Sequence, residues 1–90
     1  MEKQFKVTAL TGIHARPATE LVNTAVKYKS EISLGIDGHY VDFKSIIGVM
    51  SLGIYKNKVF TIKVNGEDEQ EALEDIIKVL TTLNLAEEVK

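Results

Sequence analysis

The sequence predicts an α+β fold in two layers, and three observations carry that expectation. Short runs alternate apolar and polar residues, the period of a half-buried strand. Longer runs repeat apolar residues at helical spacing. The resulting elements follow the order β-α-β-β-α-β-α, which reads as helices packed on one sheet. With 90 residues, 44% of them hydrophobic and 27% charged, the whole of 1–90 is expected to be a single domain.

Each element has its own warrant. In 3–9, Phe5, Val7 and Ala9 alternate with Gln4, Lys6 and Thr8, giving the first strand. Ala18, Leu21, Val22 and Ala25 then recur at helical spacing, which predicts a helix over 15–27. Strands at 31–36 and 40–43 flank Asp37-Gly38, a strong two-residue hairpin signal. The turn fixes the register: Ile36 faces His39, Leu34 faces Val41 and Ile32 faces Phe43, while Glu31 meets Lys44 as an opposite-charge pair. A short helix over 45–52 and a strand over 59–65 follow. The last helix, 68–83, opens with Asp68 and carries Glu71 three residues later, a capping-box arrangement. Its apolar stripe is Leu73, Ile76, Ile77, Leu80 and Leu83. The acidic cluster Glu67, Asp68, Glu69, Glu71, Glu74 and Asp75 reads as a solvated helix start that complements the dipole.

Composition excludes several functions. There is no cysteine, hence no disulfide or thiolate metal site, which suits a reducing compartment. No apolar run approaches the ~18–20 residues of a membrane span, and no leader is visible, so the default location is the cytoplasm, without membrane insertion. Eleven basic against thirteen acidic residues give a net charge of −2, which argues against direct nucleic-acid binding. The two histidines, His14 and His39, are far apart and make a poor metal site. Nothing calls for a cofactor.

The chemistry concentrates in Thr11-Gly12-Ile13-His14-Ala15-Arg16-Pro17-Ala18. It sets a histidine at a strand-to-helix turn, an arginine two residues on, and a proline in the first helical turn, where its missing N–H costs nothing. Gly12 permits a tight entry. The turn presents an imidazole, a guanidinium and the free N–H groups of the first helical turn, including those of Ala15 and Arg16, at the positive end of a helix dipole. Such a place suits a phosphoryl dianion beside a nucleophile. Imidazole is largely unprotonated near neutral pH and so can attack phosphorus, while the arginine fork stabilises the transferring oxygens. His39, just after the hairpin turn with neither arginine nor helix start beside it, reads as an ordinary surface histidine.

A second motif begins at Ser45, a favoured N-cap residue. Behind it the apolar residues fall on two stripes of a helical wheel, Ile46, Ile47 and Met50 on one and Val49 and Leu52 on the other. A short helix on a sheet buries only one stripe well, and the other is left for solvent or a partner. Periodicity does not choose between them.

These residues resemble a known family, the histidine-containing phosphocarrier protein (HPr) of the phosphoenolpyruvate-dependent sugar phosphotransferase system. Gly12-Ile13-His14-Ala15-Arg16-Pro17-Ala18 is similar to its active-site motif, Lys44-Ser45-Ile46-Ile47-Gly48-Val49-Met50-Ser51-Leu52-Gly53 to its second signature, and Gly66 to Ala72 sits where its last helix begins. The resemblance implies an open-faced two-layer sandwich, with a four-stranded antiparallel sheet in the order 1-4-2-3 and three helices on one face. It implies that His14 accepts phosphate through Nδ1 from phosphorylated enzyme I and passes it to the sugar-specific transporter component. The protein would then be a monomeric carrier rather than a complete enzyme. It implies that Ile46, Ile47 and Met50 face partners while Val49 and Leu52 face the core. In the Gram-positive branch the serine matching Ser45 is phosphorylated by HPr kinase/phosphorylase, and the product is corepressor of a catabolite-control repressor. Gly48 to Gly53 looks like that branch, whereas Glu67-Asp68-Glu69-Gln70 is closer to others. Glu20 departs from the pattern, since a neutral or apolar residue is expected one turn into the first helix. A carboxylate there either lowers affinity for some partners or points away.

Overall fold

Residues 1–90 are described by a computed structural model. Alternation along β1 (Glu2–Val7) turns Phe5 and Val7 into the core and leaves Gln4 and Lys6 exposed. The same logic buries Ile32, Leu34 and Ile36 of β2 (Glu31–Ile36), and Phe60, Ile62 and Val64 of β4 (Val59–Asn65). β3 (His39–Asp42) completes the hairpin with the register the Asp37-Gly38 turn requires, Ile36 opposite His39 and Leu34 opposite Val41. Asp37 and Gly38 both take positive φ, 52° and 81°, as a two-residue turn of this kind demands.

All strand pairs are antiparallel, and the order is β3-β2-β4-β1-β5. The four strands expected from the resemblance are therefore neighbours in the expected order. A fifth, β5 (Ala86–Glu88), is added outside β1, with Val7 opposite Ala86 and Phe5 opposite Glu88. It satisfies backbone groups that β1 would otherwise show at an open edge. The Val89 amide donates to the Gln4 carbonyl at 2.9 Å, and Lys3 meets Glu88 at 3.4 Å. The same segment shortens β1: the amides of Thr8 and Ala9 both turn to the Leu85 carbonyl, at 2.9 and 3.2 Å, so the chain leaves the ladder two residues before the alternation ends.

Three helices cover the core face: α1 (Ala15–Ala25), α2 (Ile46–Ser51) and α3 (Glu69–Thr82). α1 buries Ala18, Leu21, Val22 and Ala25, its predicted stripe. α3 buries Ala72, Leu73, Ile76 and Leu80, but Ile77 is only half-buried and Leu83, just past the helix, is 43% exposed. Beneath them the rings of Phe5 and Phe60, which oppose each other on β1 and β4, stack with centroids 5.6 Å apart.

Two local expectations are corrected. The capping box does not form. Asp68 is the N-cap of α3, yet its carboxylate accepts from the amides of Lys29 (2.9 Å) and Ser30 (3.0 Å) and from the Ser30 hydroxyl. It clamps α3 to the turn before β2, while Glu69 accepts from the Gly66 amide at 3.2 Å. The Glu31–Lys44 pair is also absent. Asp42 accepts from the Lys44 amide at 2.9 Å and turns the chain out of the hairpin, so the Lys44 ammonium donates instead to the Tyr28 carbonyl at 2.7 Å.

Candidate functional site

The His14 turn is built by a close approach of two loops. Gly12 sits at φ +69°, and a Cβ there would lie 2.4 Å from the Ile54 carbonyl oxygen and 2.9 Å from Tyr55 Cα. Only glycine lets the backbones meet this closely. The Ile13 amide then donates to the Ile54 carbonyl at 2.8 Å, and the Ile13 side chain is buried. With Ile13 drawn inward, His14 comes out at the N-cap of α1 in an extended conformation, φ −92° and ψ −170°. Its carbonyl accepts from the Ala18 amide at 3.0 Å, which begins the helix.

What this leaves unpartnered defines the site. The exposed His14 ring makes no hydrogen bond within the chain. Nor do the amides of Ala15 and Arg16, and Pro17, next in line, has no N–H to offer. The Arg16 side chain is exposed and outside every ion pair. A nucleophilic ring, a guanidinium and two free N–H groups thus share the positive end of an 11-residue helix. They border a shallow concavity whose other walls are Pro17, Glu20, Leu83 and Leu85. An anion bound there would meet donors that need no rearrangement.

The second motif lies next to this turn. Ser45 caps α2, its hydroxyl accepting from the Gly48 amide at 3.1 Å. Val49 is 1% exposed and Leu52 packs half-buried against the core, whereas Ile47 is 80% exposed and Ile46 and Met50 are exposed beside it. The wheel's ambiguity is resolved by packing, with the Ile46/Ile47/Met50 stripe outward. The chain leaving α2 is the Ile54–Tyr55 segment that receives Gly12 and Ile13, so the loop after the helix that bears this stripe touches the loop before His14.

Sequence reasoning missed four apolar residues around the site. Leu83 belongs to the predicted apolar stripe and Leu85 to no predicted element, yet both wall the concavity. Leu10, at the tip of a turn closed by the Gly12 amide on the Ala9 carbonyl, and Tyr55 are exposed large side chains on the two loops that meet at Gly12. Gly12 and Gly53, both at positive φ, are the local hint of those turns. His39 lies elsewhere, in an exposed groove with Asp37, Ser51, Tyr55 and Lys58, away from any helix start.

Two groups titrate far from their ordinary values, and both lie outside the His14 concavity. The Ser30 hydroxyl and the Lys29 amide hold the Asp68 carboxyl down at about 2. The Tyr28 hydroxyl, donating to Asp75 at 2.6 Å and partly desolvated, is pushed up to about 12. Both are pins of the fold. No group of three or more histidine or acidic side chains is arranged to hold a metal ion, and no helix is long and apolar enough to cross a membrane.

Fold and site together define a class: small open-faced α+β proteins that present a histidine at the start of their first helix. A family model described as the PTS HPr component phosphorylation site matches residues 1–82. The structure is similar to that of the histidine-containing phosphocarrier protein of a mycoplasma, with TM-score 0.91 and 29% identity over 94% of this chain and 97% of that one. It is similar to HPr of Bacillus anthracis, with TM-score 0.81 and 37% identity over 88% and 94%. It is also similar to Crh, the catabolite-repression protein of Bacillus subtilis, with TM-score 0.72 and 40% identity over 86% and 88%. The chain belongs to the HPr family. It is a phosphocarrier of the sugar phosphotransferase system.

Proposed function

We propose that residues 1–90 form one phosphocarrier domain in which His14 is the phosphoryl acceptor and Arg16 its stabilising cation. Phosphorylated enzyme I is the donor and the sugar-specific transporter component the acceptor. The observation that carries this is the unpartnered His14 ring beside Arg16 and the free amides of Ala15 and Arg16. A bond forms between phosphorus and the His14 ring nitrogen, Nδ1 by family resemblance, as the bond between phosphorus and the donor enzyme breaks. The reverse exchange hands the group on, so phosphate is conserved and no oxidant or cofactor enters. The guanidinium and the helix amides take the charge on the phosphoryl oxygens. Gly12 and Pro17 hold the turn. The protein is a covalent intermediate in two reactions rather than a complete enzyme, and it works as a cytoplasmic monomer.

Ile46, Ile47 and Met50 are the docking stripe, and Ser45 is its switch. A phosphate on Ser45 Oγ would add about −1.5 to −2 charges at the start of α2, next to that stripe. It would slow exchange with enzyme I and create a site for arginine or lysine of a catabolite-control repressor, with HPr kinase/phosphorylase installing it.

The 40% identity with Crh, a catabolite-repression protein, favours a second reading, a regulatory module acting mainly through phosphorylated Ser45 and protein binding. One reconstitution separates the two. Incubation with enzyme I and phosphoenolpyruvate should give one acid-labile phosphate per chain, which then moves to the transporter component. A chain that stays unlabelled while Ser45 is still phosphorylated by the kinase would select the regulatory reading. Prior phosphorylation of Ser45 should slow labelling; an undiminished rate would return Ser45 to a plain helix cap.

A further inference from the structure

Glu20 is the one acidic side chain lining the His14 concavity, which it shares with Arg16, Pro17 and the apolar walls Leu83 and Leu85. It lies four residues after Arg16 on α1, the spacing at which arginine and glutamate side chains meet on a helix face. Yet it forms no ion pair with Arg16, nor with Lys27 or Lys78, which border the adjoining groove between α1 and α3 together with Asp75. Asp75 itself is engaged by the Tyr28 hydroxyl. The Glu20 carboxylate is therefore exposed and uncommitted, and it faces the seam between α1 and the end of α3, away from the apolar stripe on α2.

From this placement we infer that Glu20 is a specificity-determining residue for phosphoryl exchange, selecting partners that set a lysine or arginine on the α3 side of His14. The inference rests on His14 being the phosphoryl acceptor. The docking face is then two-sided, with apolar contact at Ile47 and Met50 and one negative charge across the reacting ring. A partner that brought a carboxylate or bare apolar surface to Glu20 would strand that charge next to an incoming phosphoryl dianion, with like-charge repulsion on both. A partner cation neutralises Glu20 and leaves Arg16 free for the phosphoryl oxygens. Rim charges of this kind act on encounter and on salt dependence more than on the chemical step.

The test is steady-state transfer from enzyme I of the same organism, with phosphoenolpyruvate, to the wild-type chain and to Glu20→Gln and Glu20→Lys. KM and kcat are followed from low to high salt, alongside melting curves. Glu20→Gln should raise KM about two- to five-fold, the range of an exposed ion pair, and flatten its rise with salt, with kcat unchanged. Glu20→Lys should raise KM further, and both should melt like wild type because the side chain supports no contact in the fold. An unchanged or lower KM in Glu20→Gln, with wild type phosphorylated normally, overturns the inference alone. If the wild-type chain takes no phosphate, the phosphocarrier reading falls and this inference falls with it.

Discussion

The starts of α1 and α3 differ in the charge set around amides that no side chain caps. Every helix begins with backbone amides that have no partner inside it. At α3 the amides of Gln70 and Glu71 also lack a partner, but acidic side chains surround them: Glu69 and Glu71 stand in the first turn, Glu69 accepts from Gly66 and lies 3.5 Å from the Met1 ammonium, and Asp68 clamps Lys29 and Ser30. At α1 there is no acidic residue in the first turn, the cap side chain is a histidine that bonds to nothing, and two amides stay free. α2 lies between them in the chain, capped by the neutral hydroxyl of Ser45. Negative charge is already built into one end and is awaited at the other. The acidic start holds the fold together, and the open start is where a dianion can arrive and leave.

The sharpest way to break this contrast is to remove the nucleophile from the open end. His14→Ala should abolish acid-labile phosphorylation while shifting stability by less than about 0.5 kcal/mol, since an exposed cap without a cap bond supports little; His39→Ala should transfer normally. Substitutions on α2 divide in the same sense. Val49→Asp buries an unpaired charge and should cost about 3–5 kcal/mol, a fall of about 4–8 °C in Tm per kcal/mol for a domain this size. Ile47→Asp should leave Tm almost unchanged and weaken binding to enzyme I. Melting curves beside titrations read both, and the reverse pattern would mean that α2 faces the other way.

Arg16→Ala should come next, slowing transfer by the equivalent of about 2–4 kcal/mol, as loss of one charge-stabilising donor does elsewhere. Lysine should recover only part of the rate because the planar fork is lost. Single-turnover transfer measures this, and wild-type speed in the alanine variant would remove Arg16 from the chemistry. The smallest effect sharpens the α3 side. The Asp68 carboxyl is held at about 2 in the fold, against 3.8 for the unperturbed group. A lowered native pKa contributes stability that is fully present above the unfolded value and is lost as pH falls through the folded one. Asp68→Asn should therefore lower Tm at pH 6, and its deficit against wild type should shrink as the pH is taken from about 5 to 2. A pH-independent deficit would mean that the clamp does not depend on charge.

How much was legible in the sequence follows from how local each feature is. The α1 stripe, the hairpin register and the His14–Arg16–Pro17 turn are written within a few residues of one another, so period and turn chemistry reveal them. The Asp68 clamp joins residues 38 and 39 apart; local sequence points that carboxylate at helix capping, and only the fold brings the Lys29 and Ser30 donors to it. β5 is three residues long and exists because β1 has an edge to cover, which no local alternation announces. Leu83 and Leu85 reach the site only because Asn84, at φ +53°, turns the chain after α3. The departure at Glu20 was visible in the sequence, but its place in the concavity required the packing of α1 on α3.

The central claim, that the open start of α1 receives the phosphoryl group, is tested most directly by amide chemical shifts before and after phosphorylation by enzyme I. The amides of Ala15 and Arg16 should move strongly downfield as they bond the phosphoryl oxygens, with the His14 ring nitrogens shifting alongside. The amides of Asp68 and Glu69 at the acidic start of α3 should stay in place. A phosphorylated protein in which Ala15 and Arg16 are unmoved, or whose phosphate maps to a residue other than His14, would contradict the account.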